Sequence, residues 1–160
     1  ICDNSLSLGV MSKSYGLPGL RIGWIATRDQ VLYKKLLNYK CYTTICNSAP
    51  SEFLATIALR HHGAILDRNI ALIQENIDFA AEFFDRHQEL FVNNEPQAGP
   101  IAFHKYLGKD SVEDFCASLL ESQGVLLLPG SVYGVDGYVR MGYGRTDFQD
   151  CLIRLDRFLS

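Results

Sequence analysis

The sequence predicts an α/β chain: the end of a strand-and-helix domain, then a long helix, then a small α+β domain. Three observations predict this organisation. Strand-like alternation opens the chain at residues 5–10 and returns after residue 100. Helical periodicity dominates between them, with apolar residues every three or four positions at Ile70, Ile73, Ile77, Ala80 and Phe84. Finally, 48% hydrophobic content in 160 residues is enough for a real core.

The chain opens with two predicted strands, an alternating one at residues 5–10 and a second at residues 20–26. A loop rich in glycine and proline separates them. Gly23, inside the second strand, marks a place where a bulky side chain does not fit. Because two strands alone make a marginal sheet, residues 1–62 are predicted to be an incomplete portion of a larger domain.

Two helices are predicted after these strands. Residues 27–30 have the pattern of a capping box and predict a helix that runs to about Tyr39. Asn47 or Ser48 can cap the second helix, which ends near Gly63.

The rest of the chain predicts a connecting helix and a separate small domain. Residues 63–92 form the connecting helix, and residues 93–160 form the small α+β domain. The small domain is predicted to contain strands at 101–106, 125–128 and 138–143, a helix capped by Ser111, and a closing helix that begins with a capping box at 146–149.

Composition excludes several classes of function. A net charge of −3 lacks the basic footprint of a nucleic-acid-binding protein. No apolar run reaches the roughly 18 residues that a membrane helix needs. The five cysteines form no CxxC pair and no zinc-like cluster, which predicts buried free thiols, a reducing cytoplasm and no metal. The start, Ile1-Cys2-Asp3, has no initiator Met, so we expect a longer parent protein.

The most informative segment is S-K-S-Y-G-L-P-G-L-R-I-G, residues 12–23. Lys13 follows a strand in a glycine-rich loop, where a side chain can project into a pocket. Schiff-base chemistry requires a neutral amine, and the positive charge of Arg21 favours that state of a neighbouring amine. The planar guanidinium of Arg21 can also hold a phosphate through two hydrogen bonds.

This segment resembles the lysine segment of fold-type-I enzymes that depend on pyridoxal 5′-phosphate (PLP), in the class I/II aminotransferase family. The family pattern is roughly S-K-x-x-G-x-x-G-x-R-x-G, and the positions that match it are Ser12, Lys13, Gly16, Gly19, Arg21 and Gly23. The resemblance implies that Lys13 forms the Schiff base and shuttles the proton, while Ser12 and Arg21 bind the cofactor phosphate. Many members have a phosphate-binding serine where this chain has Val10.

A later strand resembles another element of the same family. In Y-V-R-M-G-Y-G, residues 138–144, Arg140 occupies the position whose arginine clamps the substrate carboxylate. Such a bidentate pair orients the substrate over the cofactor. Arg145 is a competing candidate in the cap of the last helix. Tyr133, in P-G-S-V-Y-G, lies in a segment similar to the loop that lines the substrate pocket.

The resemblance also implies weaker assignments. Asn47 or Ser48 lies in a segment that reaches the partner subunit's active site in this family, and simple helix capping is the alternative. Tyr15 can stand at the mouth of the pocket or pack locally. The four histidines match no motif.

The implied fold is the end of the large domain of a PLP-dependent transferase, plus the α+β small domain. The implied function of a homodimeric parent is amino-group transfer between an amino acid and a 2-oxo acid. Other PLP chemistry, in a lyase, cyclase or synthase, remains open, as does a non-catalytic PLP-binding sensor domain of a transcription regulator. The family places the remaining cofactor ligands N-terminal to the lysine, so we expect these 160 residues to be inactive alone.

Overall fold

The computed structural model describes residues 5–160. The chain has mixed α/β secondary structure with two small sheets. It divides into two compact units, Ile1–Asn69 and Ile70–Ser160, with the boundary inside the longest helix. The predicted division into residues 1–62, 63–92 and 93–160 stays a prediction.

The first unit contains a two-stranded antiparallel sheet and two complete helices. Its strands pair from Leu6 opposite Thr27 to Val10 opposite Gly23. Its elements are β1 (Leu6–Val10), a 3₁₀ turn (Pro18–Leu20), β2 (Gly23–Thr27), α1 (Gln30–Thr43), α2 (Ala49–Arg60) and the beginning of α3 (His62–Arg86).

The second unit contains the remainder of α3 and a four-stranded antiparallel sheet in the order β3-β4-β6-β5. Its other elements are β3 (Phe91–Val92), β4 (Ile101–Tyr106), α4 (Val112–Gln123), β5 (Leu128–Pro129), β6 (Tyr138–Gly142) and α5 (Phe148–Leu159). The predicted Ser111 cap is confirmed, since its hydroxyl accepts a hydrogen bond from the Asp114 N–H at 3.0 Å.

Two boundaries in the first unit differ from the sequence-based prediction. The second strand begins at Gly23 rather than at residue 20, because Arg21 adopts a left-handed conformation with φ 54° after the 3₁₀ turn. The cap of α1 is Asp29 rather than Thr27. The Asp29 carboxylate accepts the N–H groups of Val31 at 2.8 Å and Leu32 at 3.0 Å, and α1 extends to Thr43.

Other boundaries also move. The break between α2 and α3 falls at His61, just before the predicted end at Gly63. The predicted strand at 125–128 pairs only at Leu128 and Pro129. The predicted capping box at residues 146–149 is wrong, because the Asp147 carboxylate binds the Arg145 side chain and makes no cap hydrogen bond.

The cysteines are free thiols where the structure describes them, and Cys2 lies outside the described residues. Cys116 is buried, and burial raises the pKa of its thiol to about 11. The expectation of buried thiols is wrong for Cys41 and Cys46. Both are exposed, because the end of α1 and the segment after it pack against no buried cluster of this chain.

The two units differ in how completely they bury apolar side chains. In the second unit, aromatic rings of α3, β3 and α4 pack edge to face within a continuous buried cluster. In the first unit, the buried cluster among the described residues consists of Met11, Ala55 and Ala58. Large side chains on its helices remain exposed, such as Tyr42 at 82% and Phe53 at 68%. Such an apolar surface is typical of an interface.

His104 is a buried polar residue at the centre of the second unit. Its Nδ1 accepts the Asn94 backbone N–H at 3.3 Å, which leaves Nε2 to donate to the Tyr143 hydroxyl at 2.8 Å. The ring also stacks on Phe84 at 4.3 Å. Burial lowers the pKa of His104 to about 4, so the folded state favours the neutral ring.

We predict that this histidine makes the second unit sensitive to acid. The pKa of His104 is below its unfolded value of 6.5, so its contribution to stability is complete above pH 6.5 and is lost as the pH falls towards 4. That loss is about 3 kcal/mol at pH 4. Denaturant titrations of wild type and His104→Gln at pH 7 and pH 4 measure it. An equal loss of unfolding free energy in both proteins would contradict the prediction.

Candidate active site

The Lys13 loop is the turn between β1 and β2. The antiparallel pairing continues one step past the strands, where the Met11 N–H donates to the Ile22 carbonyl at 3.0 Å. Ser12, Lys13 and Arg21 all lie in the segment that joins the two strands beyond this bond. The sheet therefore brings Ser12, Lys13 and Arg21 to the same end of the strand pair, although eight residues separate Lys13 from Arg21.

Backbone hydrogen bonds close the loop tightly. The Gly16 N–H donates to the Lys13 carbonyl at 2.9 Å, which forms a four-residue turn that begins at Lys13. The Leu17 N–H donates to the Met11 carbonyl at 3.0 Å. Lys13 is thus held by main-chain contacts on both sides, while its side chain is exposed.

Two motif glycines are required by this geometry. Gly16 has φ +63°, which favours glycine. A Cβ atom at Gly23 would lie 2.9 Å from the Gly9 carbonyl oxygen across the sheet, so a side chain there would force the strands apart. Gly19 has neither a positive φ nor a close neighbour, since a Cβ atom there would meet nothing within 4 Å. The contacts of this chain do not explain Gly19.

The charges of the loop suit an anionic ligand. Lys13 and Arg21 are exposed, and within residues 5–160 no ion pair to a carboxylate engages either of them. Arg21 Nη1 donates to the Pro18 carbonyl at 2.8 Å, which holds the guanidinium against the loop while its other donors remain available. These residues fit the phosphate and the aldehyde of PLP, which need a fork of donors and a primary amine.

Arg140 lies in the middle of the sheet of the second unit. It is paired with Phe103 of β4 and Leu128 of β5. Its neighbours Val139 and Met141 are buried in the core, so Arg140 belongs to the opposite face of β6, where it is half-buried.

An aromatic contact brings Arg140 and Tyr133 together. The guanidinium carbon of Arg140 lies 5.3 Å from the centre of the Tyr133 ring, a cation–π distance. The Tyr133 ring in turn packs edge-on against Phe103 at 5.6 Å. Sequence reasoning missed Phe103, although its position opposite Arg140 follows once the strand register is known.

Arg145, the competing arginine, is already engaged. Its guanidinium donates to both carboxylate oxygens of Asp147 at 2.8 and 2.9 Å, and this contact lowers the pKa of Asp147. Its backbone carbonyl accepts a hydrogen bond from Asn76 at 2.9 Å. Within the described residues, no carboxylate pairs with Arg140. Arg140 is therefore the freer of the two for a substrate carboxylate.

A cleft of about 440 Å³ opens beside Arg140, between β6, the segment before β5 and α5. Its lining includes Leu126, Met141 and Cys151.

The other assignments find local contacts. Asn47 accepts a hydrogen bond from Lys40 at 3.0 Å and donates to Glu52 at 2.7 Å, so its side chain joins α1 to α2. Ser48 is the N-cap of α2 without a side-chain cap bond. Tyr15 packs against the Met11 cluster.

Comparison with known proteins places these features in a family. The family model for aminotransferase class I and II matches residues 2–151. Capreomycidine synthase from Streptomyces vinaceus is 33% identical over 88% of the chain, which covers 36% of that relative. Because the match covers about a third of that protein, it bears on the family and not on the whole relative's activity.

Two solved structures are similar over nearly the whole chain. A PLP-dependent aminotransferase from Streptococcus suis superposes with a TM-score of 0.90 and 36% identity over 98% of this chain and 42% of its own. The PLP-dependent cyclase OrfR superposes with a TM-score of 0.87 and 32% identity over 96% of this chain and 42% of its own. The chain thus spans less than half the length of these relatives.

Proposed function

The chain belongs to the class I and II aminotransferase family, and from this premise we propose that the full-length protein is a PLP-dependent aminotransferase. It moves an amino group from an amino acid to a 2-oxo acid. The observation that carries the proposal is the loop between β1 and β2, which holds Ser12, Lys13 and Arg21 together at one end of the strand pair without a carboxylate partner among the described residues.

Each residue has a defined task in this proposal. When bound, PLP supplies an electron sink for the carbanion that forms beside the amino nitrogen. The Nζ atom of Lys13 would hold the cofactor covalently in the resting protein, and once the substrate amine has displaced it, the free amine would accept and return the proton of the substrate α-carbon. Ser12 and Arg21 bind the phosphate, and Arg140 orients the substrate through its carboxylate. Tyr133 lines the substrate pocket and supports the Arg140 guanidinium.

The proposal includes a cytoplasmic homodimer. Exposed apolar side chains on α1 and α2, such as Tyr42 and Phe53, support a further protein surface over these helices in the full-length protein. Asn47 or Ser48 then lies close to the partner's site. The free thiols support a reducing compartment. The 160 residues alone are proposed to be inactive, because they span less than half of their relatives.

A second candidate is a PLP-dependent cyclase or synthase. It is favoured by the similarity to capreomycidine synthase at 33% identity and to a PLP-dependent cyclase at 32% identity. Both candidates need the same lysine and the same carboxylate clamp, because both begin by activating an amino acid at its α-carbon. They differ in whether the nitrogen leaves the substrate.

An isotope experiment separates the two candidates. The full-length protein with PLP is incubated with a mixture of amino acids labelled at the amino nitrogen, with and without 2-oxoglutarate. Label found in glutamate supports the aminotransferase. A product that retains its label and forms without 2-oxoglutarate overturns it in favour of the cyclase or synthase.

Arg21 provides a direct test of the cofactor site. Replacing Arg21 by lysine in the full-length protein is expected to weaken PLP binding about tenfold, because a lysine keeps the charge but loses the fork of donors. Equilibrium titration of PLP measures the change. Arg60→Lys, at the exposed end of α2, is the matched control. Equal affinity in Arg21→Lys and wild type would remove Arg21 from the phosphate site.

A further inference from the structure

The Lys13 turn receives a side-chain hydrogen bond from a distant part of the first unit. The Asn69 carboxamide, on α3, donates from Nδ2 to the Ser14 carbonyl at 2.9 Å, across 55 positions of sequence. Ser14 is the residue directly after Lys13 and lies inside the turn closed by Gly16. The bond therefore acts on the middle of the turn, in addition to the two backbone bonds at its ends.

The turn and the carboxamide fit each other closely. A Cβ atom at Gly16 would lie 3.2 Å from Asn69 Nδ2, so the absence of a side chain at Gly16 lets the carboxamide approach. Gly16 also has a positive φ of 63°, a conformation that favours glycine. A motif glycine and a helix asparagine thus form one contact.

Lys13 has a particular need for support from its backbone. Its side chain is exposed, and no side-chain hydrogen bond or ion pair holds it within residues 5–160. The direction in which a long flexible side chain leaves the main chain is then set by the turn alone. Misplacement of a reacting group by about 1 Å can cost about 100-fold in rate.

We propose that Asn69 is a positioning residue for Lys13: it fixes the Ser14 peptide and thereby the direction of the Lys13 side chain towards the cofactor. The inference rests on the proposed function for its final step, the delivery of the amine. The contact itself is independent of that function. Asn69 touches neither substrate nor cofactor in this role.

The first test measures the turn without cofactor. In the full-length protein, Asn69→Leu keeps the volume but removes the donor, so hydrogen exchange of the amides in residues 12–17 is expected to rise about tenfold. Asn69→Gln keeps a carboxamide and is expected to restore part of the protection. Arg68→Ala, the exposed neighbour on α3, is the matched control and is expected to exchange like wild type.

A second variant approaches the contact from the other side. Gly16→Ala places a Cβ atom against Nδ2 and strains a residue with φ +63°, so it is expected to loosen the same amides while Asn69 is intact. Unchanged exchange in both Asn69→Leu and Gly16→Ala would show that the Asn69–Ser14 hydrogen bond does not hold the turn, and would overturn the proposal.

The last test asks whether the Asn69–Ser14 hydrogen bond affects the reactivity of Lys13. The rate at which PLP becomes attached to Lys13, trapped by borohydride reduction and measured by peptide mass, is expected to fall about tenfold in Asn69→Leu. The kcat for the amino acid is expected to fall with little change in KM. A loosened turn with unchanged attachment and kcat would overturn the positioning role. Absence of attachment in wild type would instead overturn the proposed function. The exchange data would still show whether the Asn69–Ser14 hydrogen bond holds the turn.

Discussion

Replacing Lys13 by alanine in the full-length enzyme is expected to lower the rate of amino transfer about 10⁴-fold. Two contributions are lost together. The amine no longer anchors the cofactor, and the primary amine that accepts and returns the proton in the proposed function is absent. Single-turnover transfer of labelled nitrogen measures the loss.

The control is chosen to match the chemistry of the change. Lys35→Ala removes an exposed lysine of α1 in the same unit and is expected to leave the rate unchanged. Borohydride reduction of wild type with PLP is expected to label the peptide that contains Lys13. A Lys13→Ala variant that retains rapid transfer, or a label on another lysine, would refute the role of Lys13.

Replacing Arg140 by lysine is expected to lower kcat/KM for amino-acid substrates about 100-fold. The planar guanidinium can bind both oxygens of a carboxylate, whereas an ammonium group binds as a point charge. The packing of Arg140 against Tyr133 at 5.3 Å also orients the guanidinium, and a lysine does not reproduce that geometry. Steady-state kinetics with an amino acid and with the corresponding amine test whether the loss of kcat/KM depends on the carboxylate. The amine carries no carboxylate, so its kcat/KM is expected to change little.

Arg145→Lys is the matched control for this prediction. Arg145 lies five residues further along the chain, but its fork is already occupied by Asp147. We therefore expect a small kinetic effect from Arg145→Lys. A large loss of kcat/KM in Arg145→Lys combined with a small one in Arg140→Lys would reassign the carboxylate clamp to Arg145.

Many elements of the fold were predictable because their signals are local. Strand β4 and helix α4 have the predicted bounds, since alternation, the Ser111 cap and Gly124 at the end of α4 act within a few residues. The Lys13 motif was equally recognisable from the sequence, because its glycines and its arginine have fixed spacing in one short segment.

Two predicted boundaries were wrong because the same residues make a different contact in the folded chain. Thr146 and Gln149 have the spacing of a capping box, but the N-cap position of α5 is Asp147, whose carboxylate accepts from Arg145 and makes no cap bond. Leu20 and Ile22 alternate with Arg21 as in a strand. Leu20 instead ends the 3₁₀ turn and Arg21 is left-handed, so β2 begins only at Gly23. In both cases a competing contact decided the outcome.

Contacts between distant residues lay outside the reach of sequence reasoning. His104 matched no motif, yet it bonds to Tyr143 inside the core of the second unit. Asn69 belongs to no motif of the sequence, yet its carboxamide donates to the Ser14 carbonyl in the Lys13 turn. Neither contact has a signature in spacing, because each joins residues 39 or 55 positions apart.

The amino-acid sequence was enough to predict the family, which the comparisons confirm, and most of the helices and strands, because these depend on short motifs and on periodicity. The role of Lys13 stays a prediction from the same motif. The pairing of β1 with β2, the contact of Arg140 with the Tyr133 ring, and the hydrogen bond from Asn69 to the turn after Lys13 became known only from the folded chain. The physical reason is that strand register and side-chain contacts depend on packing between remote segments, which local spacing does not specify.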